Sequence, residues 1–306
     1  MSIRFDGRVA IVTGAGGGLG RCYALELARR GAKVIVNDLG GALDGTSGSA
    51  GLAQAVADEI TAAGGIAVAN HDSVADRSAA QRMVDEAASR FGSVDILVNN
   101  AGILRDKTFA KLELDDFQKV VDVHLMGSVN MTKAAFPLMK DKGYGRIVFT
   151  TSSSGLYGNF GQTNYAAAKL GVVGFMNTLK LEAKKYGIKV NCIAPTAATR
   201  MTGGLWPPEV LNAVPPERVV PAVVYLCSEG SPNGHIIEAG GSYFARVAIV
   251  EARGVVLGPN ATAEDVAARY EEIADLTGAR TFDSGMEVAT NIAKAAAEAF
   301  PAAVTS

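Results

Sequence analysis

Short runs of apolar, mostly β-branched residues alternate with longer amphipathic stretches along most of the chain. Six runs have the length of buried strands: RVAIVTG, KVIVND, IAVANHD, VDILVNNAG, RIVFTTS and IKVNCIAP. The stretches between them carry apolar residues at helical spacing, and several end in Gly, a common helix stop. Strands this apolar are buried on both faces, so the pattern predicts an α/β fold with a doubly wound parallel sheet.

Two loops interrupt this rhythm within residues 1–244, which we expect to form one domain. The segment LGGALDGTSGSAG (39–51) has the composition of a flexible loop after the second strand. The segment 198–216 is rich in Gly and Pro, yet it contains Leu205 and Trp206. Large apolar residues in a loop usually cover something, so we expect a substrate lid here.

Residues 245–306 continue past the last expected strand and predict a helical extension. One helix should begin at Thr262, capped with Asp265, and stop at Gly278; a second should run from Ser284, with Glu287, to Pro301. Two helices of this size do not bury a core alone. We expect them to pack on the main domain or on a partner subunit.

Composition narrows the classes of function. The 306 residues carry a net charge of −2 with no basic block, which argues against nucleic acid or an anionic membrane as partner. Three widely spaced cysteines and three histidines give no disulfide frame or metal site. There is no signal-peptide pattern, no apolar run long enough to span a membrane, and no lipidation or peroxisomal signal in the final AAVTS. The expected protein is soluble and cytoplasmic.

A glycine-rich turn follows the first strand and opens the first helix. Gly14 would permit a tight turn, Gly18 would let the backbone approach a pyrophosphate, and Gly20 would allow close helix–sheet packing. The free N–H groups of the helix N-terminus then favour phosphate binding. A glycine-rich turn alone could be a simple tight turn, but strand, helix and next strand follow in order, which favours a dinucleotide site.

Acidic residues end the second and third strands. Asp38 can accept hydrogen bonds from both adenosine ribose hydroxyls and would repel a 2′-phosphate. Because no Arg or Lys occupies positions 15–17 or 39, we predict NAD over NADP. Asp72 could meet the adenine amino group. Each residue could instead be a solvated or capping aspartate.

Tyr165 and Lys169 lie four residues apart in NYAAAK, on one face of a predicted helix. A tyrosine base working at neutral pH needs its pKa lowered by roughly 2–3 units from about 10. A neighbouring ammonium and a positive nicotinamide ring would both favour the phenolate. Alone, the pair could be an ordinary surface pair.

Together, TGAGGGLG, NNAG (99–102), Ser152 and YAAAK resemble the short-chain dehydrogenase/reductase family over roughly residues 5–244. The resemblance implies a Rossmann-like sheet of about seven strands, Tyr165 as acid/base, Lys169 as its pKa-lowering partner and ribose ligand, and Ser152 as holder of the substrate oxygen. It also implies further cofactor contacts from Leu19, Ser73, Asn99, Ala101, Gly102, Ala197 and Thr199, and a homodimer or homotetramer built on the helices of residues 109–140 and 165–186.

Two positions depart from the broad family. His124 stands where the proton relay often has an Asn, so it is either a support for a water chain from Lys169 or a buried core histidine. Thr196 replaces a common Gly, which weakens the carry-over of the nicotinamide contacts near residues 196–199.

The segments VNDLGG, NNAGILRDKTF, VHLMGS and IAPTAATRMT resemble more closely the (3R)-hydroxyacyl-CoA dehydrogenase branch of that family, which shares the histidine. This implies oxidation of a (3R)-3-hydroxyacyl-CoA with NAD. The alternatives are a 17β-hydroxysteroid dehydrogenase and, in another class, a non-catalytic NAD-binding regulatory protein. Candidate partners for CoA phosphates are Arg105, Lys107 and Arg200, although simple solvation of these side chains is the favoured interpretation.

Overall fold

The six expected strands are all present in the computed structural model, which describes residues 2–46, 51–202 and 206–300. They are β1 (Val9–Thr13), β2 (Lys33–Asn37), β3 (Ile66–Asn70), β4 (Ile96–Asn99), β5 (Gly145–Thr150) and β6 (Ile188–Pro195). With β7 (Ile236–Gly240) and β8 (Tyr243–Val247) they form one sheet of order β3-β2-β1-β4-β5-β6-β7-β8. Strands β1 to β7 pair in parallel, which confirms the predicted class.

The sheet has one strand more than the expected number of about seven. Only Gly241 and Ser242 separate β7 from β8, with φ angles of 58° and 69°. A two-residue turn of this kind joins antiparallel strands, so β8 folds back along β7 as a hairpin.

Helices cover the sheet and supply the rest of the core. They are α1 (Gly18–Arg29), α2 (Gly51–Ala62), α3 (Arg77–Phe91), α4 (Leu114–Val121), α5 (Gly127–Lys142), α6 (Ser153–Tyr157), α7 (Thr163–Ala183), α8 (Pro208–Ala213) and α9 (Val220–Cys227). The central strands are wholly buried, and Tyr23 and Leu27 of α1 pack on them without solvent exposure. Removing this apolar surface from water is the main stabilising term of the fold.

The strand order reverses beside β1, which has β2 on one side and β4 on the other. In open parallel sheets, ligands bind at the carboxyl ends of the strands flanking such a point. The glycine-rich turn after β1 lies at this place.

The stretch from residue 114 to 142, whose apolar residues recur at helical spacing, is divided in the structure. A single π-helical turn, Asp122–Met126, separates α4 from α5 and contains His124. Turns of this kind occur often at functional sites, and their extra residue is not visible in the apolar periodicity.

The chain divides into two units after Arg246. In the second unit, the helix expected after Thr262 is shorter and interrupted, as α10 (Ala263–Ala268) and α11 (Tyr270–Ala274); Thr262 and Asp265 form the expected capping box. The next helix is α12 (Gly285–Ala299), capped by Ser284, whose Oγ accepts the Glu287 amide hydrogen. The expected stop at Pro301 lies outside the described residues.

Candidate active site and cofactor cavity

A cavity of about 580 Å³ lies at the carboxyl ends of β1, β2 and β4. Its size is that of a small-molecule site. Nine residues predicted from the sequence to bind a cofactor line it: Gly14, Gly18, Leu19, Gly20, Asp38, Asp72, Ser73, Ala101 and Gly102. Thr199 lines it as well. Four further predicted cofactor contacts do not belong to its lining: Asn99, Tyr165, Lys169 and Ala197.

The glycine-rich turn packs as tightly as its sequence suggested. A Cβ atom at Gly20 would collide with the carbonyl oxygen of Gly14 and with the Asn100 side chain. Helix α1 begins after Gly17, whose position has no side chain to cap the helix, so its first N–H groups point out of the helix end without a competing internal acceptor.

Asn100 is a residue that the sequence reasoning missed. Its Nδ2 donates to the carbonyl oxygens of Thr13 and Gly14, at 3.0 and 3.1 Å, and its own amide donates to the Thr13 hydroxyl. Asn100 thereby ties the end of β4 to the turn after β1. The second Asn of NNAG was the available signal, because an asparagine just past a buried strand needs hydrogen-bond partners.

The Asp38 carboxylate is positioned by two backbone amides. Gly16 N donates to one oxygen at 2.8 Å and Gly40 N to the other at 2.7 Å. A carboxylate oxygen accepts more than one hydrogen bond, so both keep capacity for a ligand in the cavity.

Asp72 is held differently. One carboxylate oxygen pairs with Arg82 at 2.7 Å and the other accepts from Asn70 at 3.3 Å. Ser73 accepts from the Ala75 amide. The side chains of both residues therefore also serve the turn between β3 and α3.

Ser152, Tyr165 and Lys169 come together at the end of β5 and the start of α7. Ser152 caps α6, where its Oγ accepts from the Ser154 amide, and it is hydrogen-bonded to the Tyr165 side chain. Lys169 is almost fully buried, donates from Nζ to the Thr150 carbonyl at 2.6 Å and lies 5.4 Å from the centroid of the Tyr165 ring.

The two titratable members of this group have opposite pKa shifts. Burial raises the pKa of Tyr165 to about 12, although the bond with Ser152 lowers it; the Asp106 carboxylate adds to the rise. Burial lowers the pKa of Lys169 to about 7. The protein's own groups therefore do not bring the pKa of Tyr165 below that of free tyrosine. The sequence pattern showed the pair but not how deeply it is buried.

His124 lies directly behind this group. Its ring stands edge-on to the Tyr165 ring with centroids 5.1 Å apart, and Nε2 lies 3.0 Å from the Ile103 amide nitrogen and 2.8 Å from the Ile103 carbonyl oxygen. Burial first, and then the Lys169 charge, hold the pKa of His124 well below 6.5, so the ring is neutral. Its Nδ1 is buried and has no hydrogen-bond partner in the described part of the chain.

Gly102 is required by the same ring. A Cβ atom there would collide with Cε1 of His124. The NNAG segment thus lies between the cofactor cavity and His124. Any side chain at Gly102 would displace the histidine ring.

The candidate phosphate partners have different surroundings. Arg105 and Lys107 both pair with Asp116, at 2.6 and 3.1 Å, so neither is a merely solvated cation. Arg200 is exposed beside the cofactor cavity. In the expected lid, the Ala198 amide donates to the Val214 carbonyl and closes the base of the segment. Trp206 is partly exposed, and Leu205 lies outside the described residues.

These features fit a dinucleotide. Glycines leave room where a Cβ would collide, a helix N-terminus faces the turn, and Asp38 is fixed at the cavity. Asn99, the neighbour of the lining residue Asn100, is not part of the lining; its buried Nδ2 has no acceptor among the described residues.

Comparisons with known proteins agree with this geometry. A family model described as short chain dehydrogenase matches residues 8–209. A protein of Mycobacterium tuberculosis named as a short-chain type dehydrogenase/reductase is 52% identical over 274 residues, covering 89% of this chain and 96% of the relative. A hydroxyacyl-CoA dehydrogenase of the same organism is 38% identical over 251 residues, covering 76% of each chain.

Peroxisomal multifunctional enzyme type 2 of Drosophila melanogaster is 48% identical over 283 residues, covering 91% of this chain and 47% of the enzyme. Its full-length structure superposes with a TM-score of 0.81 at 40% identity, over 95% of this chain and 50% of that one. The chain thus spans about half the length of this relative. This similarity confirms the resemblance to the hydroxyacyl-CoA dehydrogenase branch that the sequence suggested.

A 7α-hydroxysteroid dehydrogenase, solved in complex with NADH and 7-oxo glycochenodeoxycholic acid, superposes with a TM-score of 0.70 at 30% identity, covering 78% of this chain and 94% of that one. None of the helices in the described residues has the length and apolarity to cross a membrane. From its family match, its relatives and its cavity, the chain belongs to the short-chain dehydrogenase family and is an oxidoreductase with a nicotinamide cofactor.

Proposed function

We propose that the protein oxidises the 3-hydroxyl group of (3R)-3-hydroxyacyl-CoA esters to the ketone with NAD. The observation that carries the reaction type is the group of Ser152, Tyr165 and Lys169 at the sheet edge next to the cofactor cavity. The substrate class is supported by the similarity to the peroxisomal multifunctional enzyme and to a hydroxyacyl-CoA dehydrogenase.

In this proposal Tyr165 accepts the hydroxyl proton and Ser152 donates a hydrogen bond to the same substrate oxygen as it becomes a carbonyl. The bound oxidised nicotinamide supplies the hydride acceptor and a positive charge. That charge is needed, because the surrounding protein holds the pKa of Tyr165 at about 12. Lys169 adds its share when it is protonated, since its ammonium lies against the Tyr165 ring.

The proton then leaves through Lys169 and His124. Lys169 has a pKa of about 7, so it can take up and release a proton near neutral pH. His124 is neutral, and its unpartnered Nδ1 is free to accept or donate a hydrogen bond in the same buried region. We propose that His124 supports the relay rather than acting only as a packed core residue.

NAD, rather than NADP, is the proposed cofactor because of Asp38. Its two carboxylate oxygens are fixed by the amides of Gly16 and Gly40 and face the cavity. Binding a 2′-phosphate at this place would require a cation. A 2′-phosphate would instead meet a carboxylate held in place by two amides.

The deciding experiment measures NADH formation from (3R)- and (3S)-3-hydroxyacyl-CoA, each with NAD and with NADP. We expect turnover of the 3R ester with NAD at a kcat/KM at least about tenfold above each other combination, a difference of about 1.4 kcal/mol. Preference for the 3S ester would refute the substrate assignment, and preference for NADP would refute the role of Asp38.

A steroid alcohol is the second candidate substrate. The observation in its favour is the structural similarity to the hydroxysteroid dehydrogenase, together with Trp206 in the segment expected to act as a lid. A 17β-hydroxysteroid belongs in the same assay. If the protein binds NADH but turns over none of these compounds, the non-catalytic regulatory alternative replaces both.

We further propose a homodimer or homotetramer. Large apolar side chains are exposed on or next to α4 and α7, the helices on which the family resemblance places the dimer: Phe109, Leu114, Leu170 and Leu181. The second unit also exposes Leu276, Met286 and Ile292, and exposed apolar side chains are common at protein–protein contacts. A mass measurement by light scattering would determine the oligomeric state directly.

We also propose a cytoplasmic location for the protein.

A further inference from the structure

The loop after β2 forms one wall of the cofactor cavity. Residues 39–46, called the clasp loop below, contribute almost all of their positions to its lining. Asp44 shapes the loop's end, where its carboxylate accepts from both the amide and the hydroxyl of Thr46. Glycine-rich loops have few contacts of their own, so what holds this one against the cavity needs an explanation.

The clasp loop is fastened to the segment that follows NNAG. The Leu104 amide donates to the Leu43 carbonyl at 2.9 Å, and Nε of Arg105 donates to the Asp44 carbonyl at 2.8 Å. A Cβ atom at Gly45, where φ is 80°, would lie only 3.3 Å from the Ile103 side chain. Two segments that line the cavity, the clasp loop and residues 103–105, are therefore joined by one backbone hydrogen bond and by one hydrogen bond from the Arg105 guanidinium.

Arg105 is itself held by Asp116 at the start of α4. The guanidinium NH1 lies 2.6 Å from Asp116 Oδ1, and the two side chains are only 17% and 15% exposed. Hydrogen bonds from Arg105 and then Lys107 keep the pKa of Asp116 below its ordinary value. The planar guanidinium thus bonds in two directions, to a fixed carboxylate and to the clasp loop, which an ammonium cannot do with the same geometry.

The same residue is connected to the catalytic helix. Nδ2 of Asn164, a fully buried side chain at the start of α7, donates to the Arg105 carbonyl at 2.9 Å. Its Oδ1 accepts from the amide of Tyr165 at 2.8 Å. One short segment therefore joins the wall of the cofactor cavity to the backbone of the proposed base.

We propose that Arg105 is a positioning residue that keeps the clasp loop closed on the bound dinucleotide, and that it sets the rate at which the reduced cofactor leaves. This inference rests on the proposed nicotinamide function, but it concerns cofactor exchange and not the identity of the alcohol. Arg105 itself lines the cavity, and in this proposal it acts on the cofactor through its hydrogen bond to the Asp44 carbonyl.

The experiment measures NADH dissociation by stopped-flow fluorescence, with no alcohol substrate present. Arg105→Ala is expected to accelerate dissociation about tenfold, or about 1.4 kcal/mol, and to raise the KM for NAD without a matching loss of kcat. Arg105→Lys keeps a cation near Asp116 but loses the planar guanidinium that bonds in two directions. Its NADH dissociation should therefore be accelerated less than that of Arg105→Ala. Arg90→Ala, which removes an exposed pair with Glu86 on α3, is the matched control and should dissociate at the wild-type rate.

Asp116→Asn supplies a test that leaves Arg105 in place. It should accelerate dissociation as well, and Arg105→Ala with Asp116→Asn should be no faster than Arg105→Ala alone, because both changes open the same contact. Unchanged NADH dissociation in Arg105→Ala and in Asp116→Asn would overturn the proposal. So would a loss of kcat with normal cofactor release, which would place Arg105 on the substrate side. Because NADH release is measured without alcohol, failure of the hydroxyacyl-CoA assignment leaves this result interpretable.

Discussion

The two edges of the sheet treat charged groups in opposite ways. At the amino ends of β1, β4 and β5, every charge of a compact cluster has an opposite charge beside it, and two of them also lie over the Tyr144 ring. The charged residues are Arg8, Asp95, Lys142, Arg146 and Glu229. Asp95 is fully buried, yet it pairs with Arg8 and Lys142 and also accepts from Val9 N and the Ser93 hydroxyl. Such saturation is what a buried carboxylate needs to remain ionised.

The carboxyl edge leaves polar groups incompletely satisfied. Lys169 is buried with a carbonyl as its partner rather than a carboxylate. Three of the six buried side-chain atoms for which the described residues offer no hydrogen-bond partner lie here, namely Nδ1 of His124, Nδ2 of Asn99 and Oγ1 of Thr150. Each costs stability in the folded chain. Such a loss of stability is tolerated where the group binds a ligand or transfers a proton. The contrast therefore distinguishes the amino edge, which stabilises the fold, from the carboxyl edge, where we propose that the reaction occurs.

The largest effect that this contrast predicts is on catalysis. Tyr165→Phe removes the proposed proton acceptor, so kcat should fall about a thousandfold or more. NADH affinity and the melting temperature should stay near the wild-type values, since only one hydroxyl is lost. Full activity of the variant would show that another group accepts the proton.

The next effect is on stability, at the opposite edge. Asp95→Asn leaves Arg8 and Lys142 without their shared carboxylate and should lower the free energy of unfolding by about 3 kcal/mol, measured in urea. The kcat of the folded fraction should be unchanged. Asp6→Asn, in an exposed pair with Arg4, is the control and should have no measurable effect.

The pH dependence of stability provides a second test of the role of Asp95. Burial alone would raise the pKa of Asp95, but Lys142, the Val9 amide and Ser93 together lower it. A carboxyl with a depressed pKa contributes stability above the unfolded value of about 3.9, and that contribution is lost as the pH falls further. The wild type should therefore lose its advantage over Asp95→Asn below about pH 4. An advantage that persists in acid would mean that the carboxylate charge is not the source.

Much of the fold could be predicted because apolar periodicity is a local signal. Six strands and the helices between them followed from it, and the glycine-rich turn after β1 followed from motif spacing. The π turn at His124 and the hairpin of β7 and β8 did not, since both depend on one or two residues that leave the periodicity unchanged.

Most of the site could also be predicted as a set of residues, but not as a set of energies. The motif spacing gave Ser152, Tyr165 and Lys169 through the family resemblance. It did not give the depth of burial, which raises the pKa of Tyr165 to about 12 and lowers the pKa of Lys169 to about 7. The partners of Arg105 were likewise hidden, because Asp44 contributes a backbone carbonyl and Asp116 lies on another helix.

The smallest predicted effect concerns the stability cost of Lys169. Its pKa falls from the ordinary lysine value to about 7 because it is buried. Between about pH 7 and the unfolded value near 10.4, the unfolded chain binds more protons at this residue than the folded chain does. The cost is therefore fully present below pH 7 and disappears as the pH rises toward 10. Lys169→Met, of similar length, should be inactive but more stable than the wild type by roughly 1–2 kcal/mol at pH 6.5, since burying a charge costs more than the lost bond to Thr150 returns. Unfolding in urea across this range, with the exposed Lys133→Met as control, measures the difference directly. If the gain in the free energy of unfolding is constant from pH 6.5 to pH 10, it comes from packing and not from removal of the buried charge. Burial of Lys169 would then not destabilise the carboxyl edge.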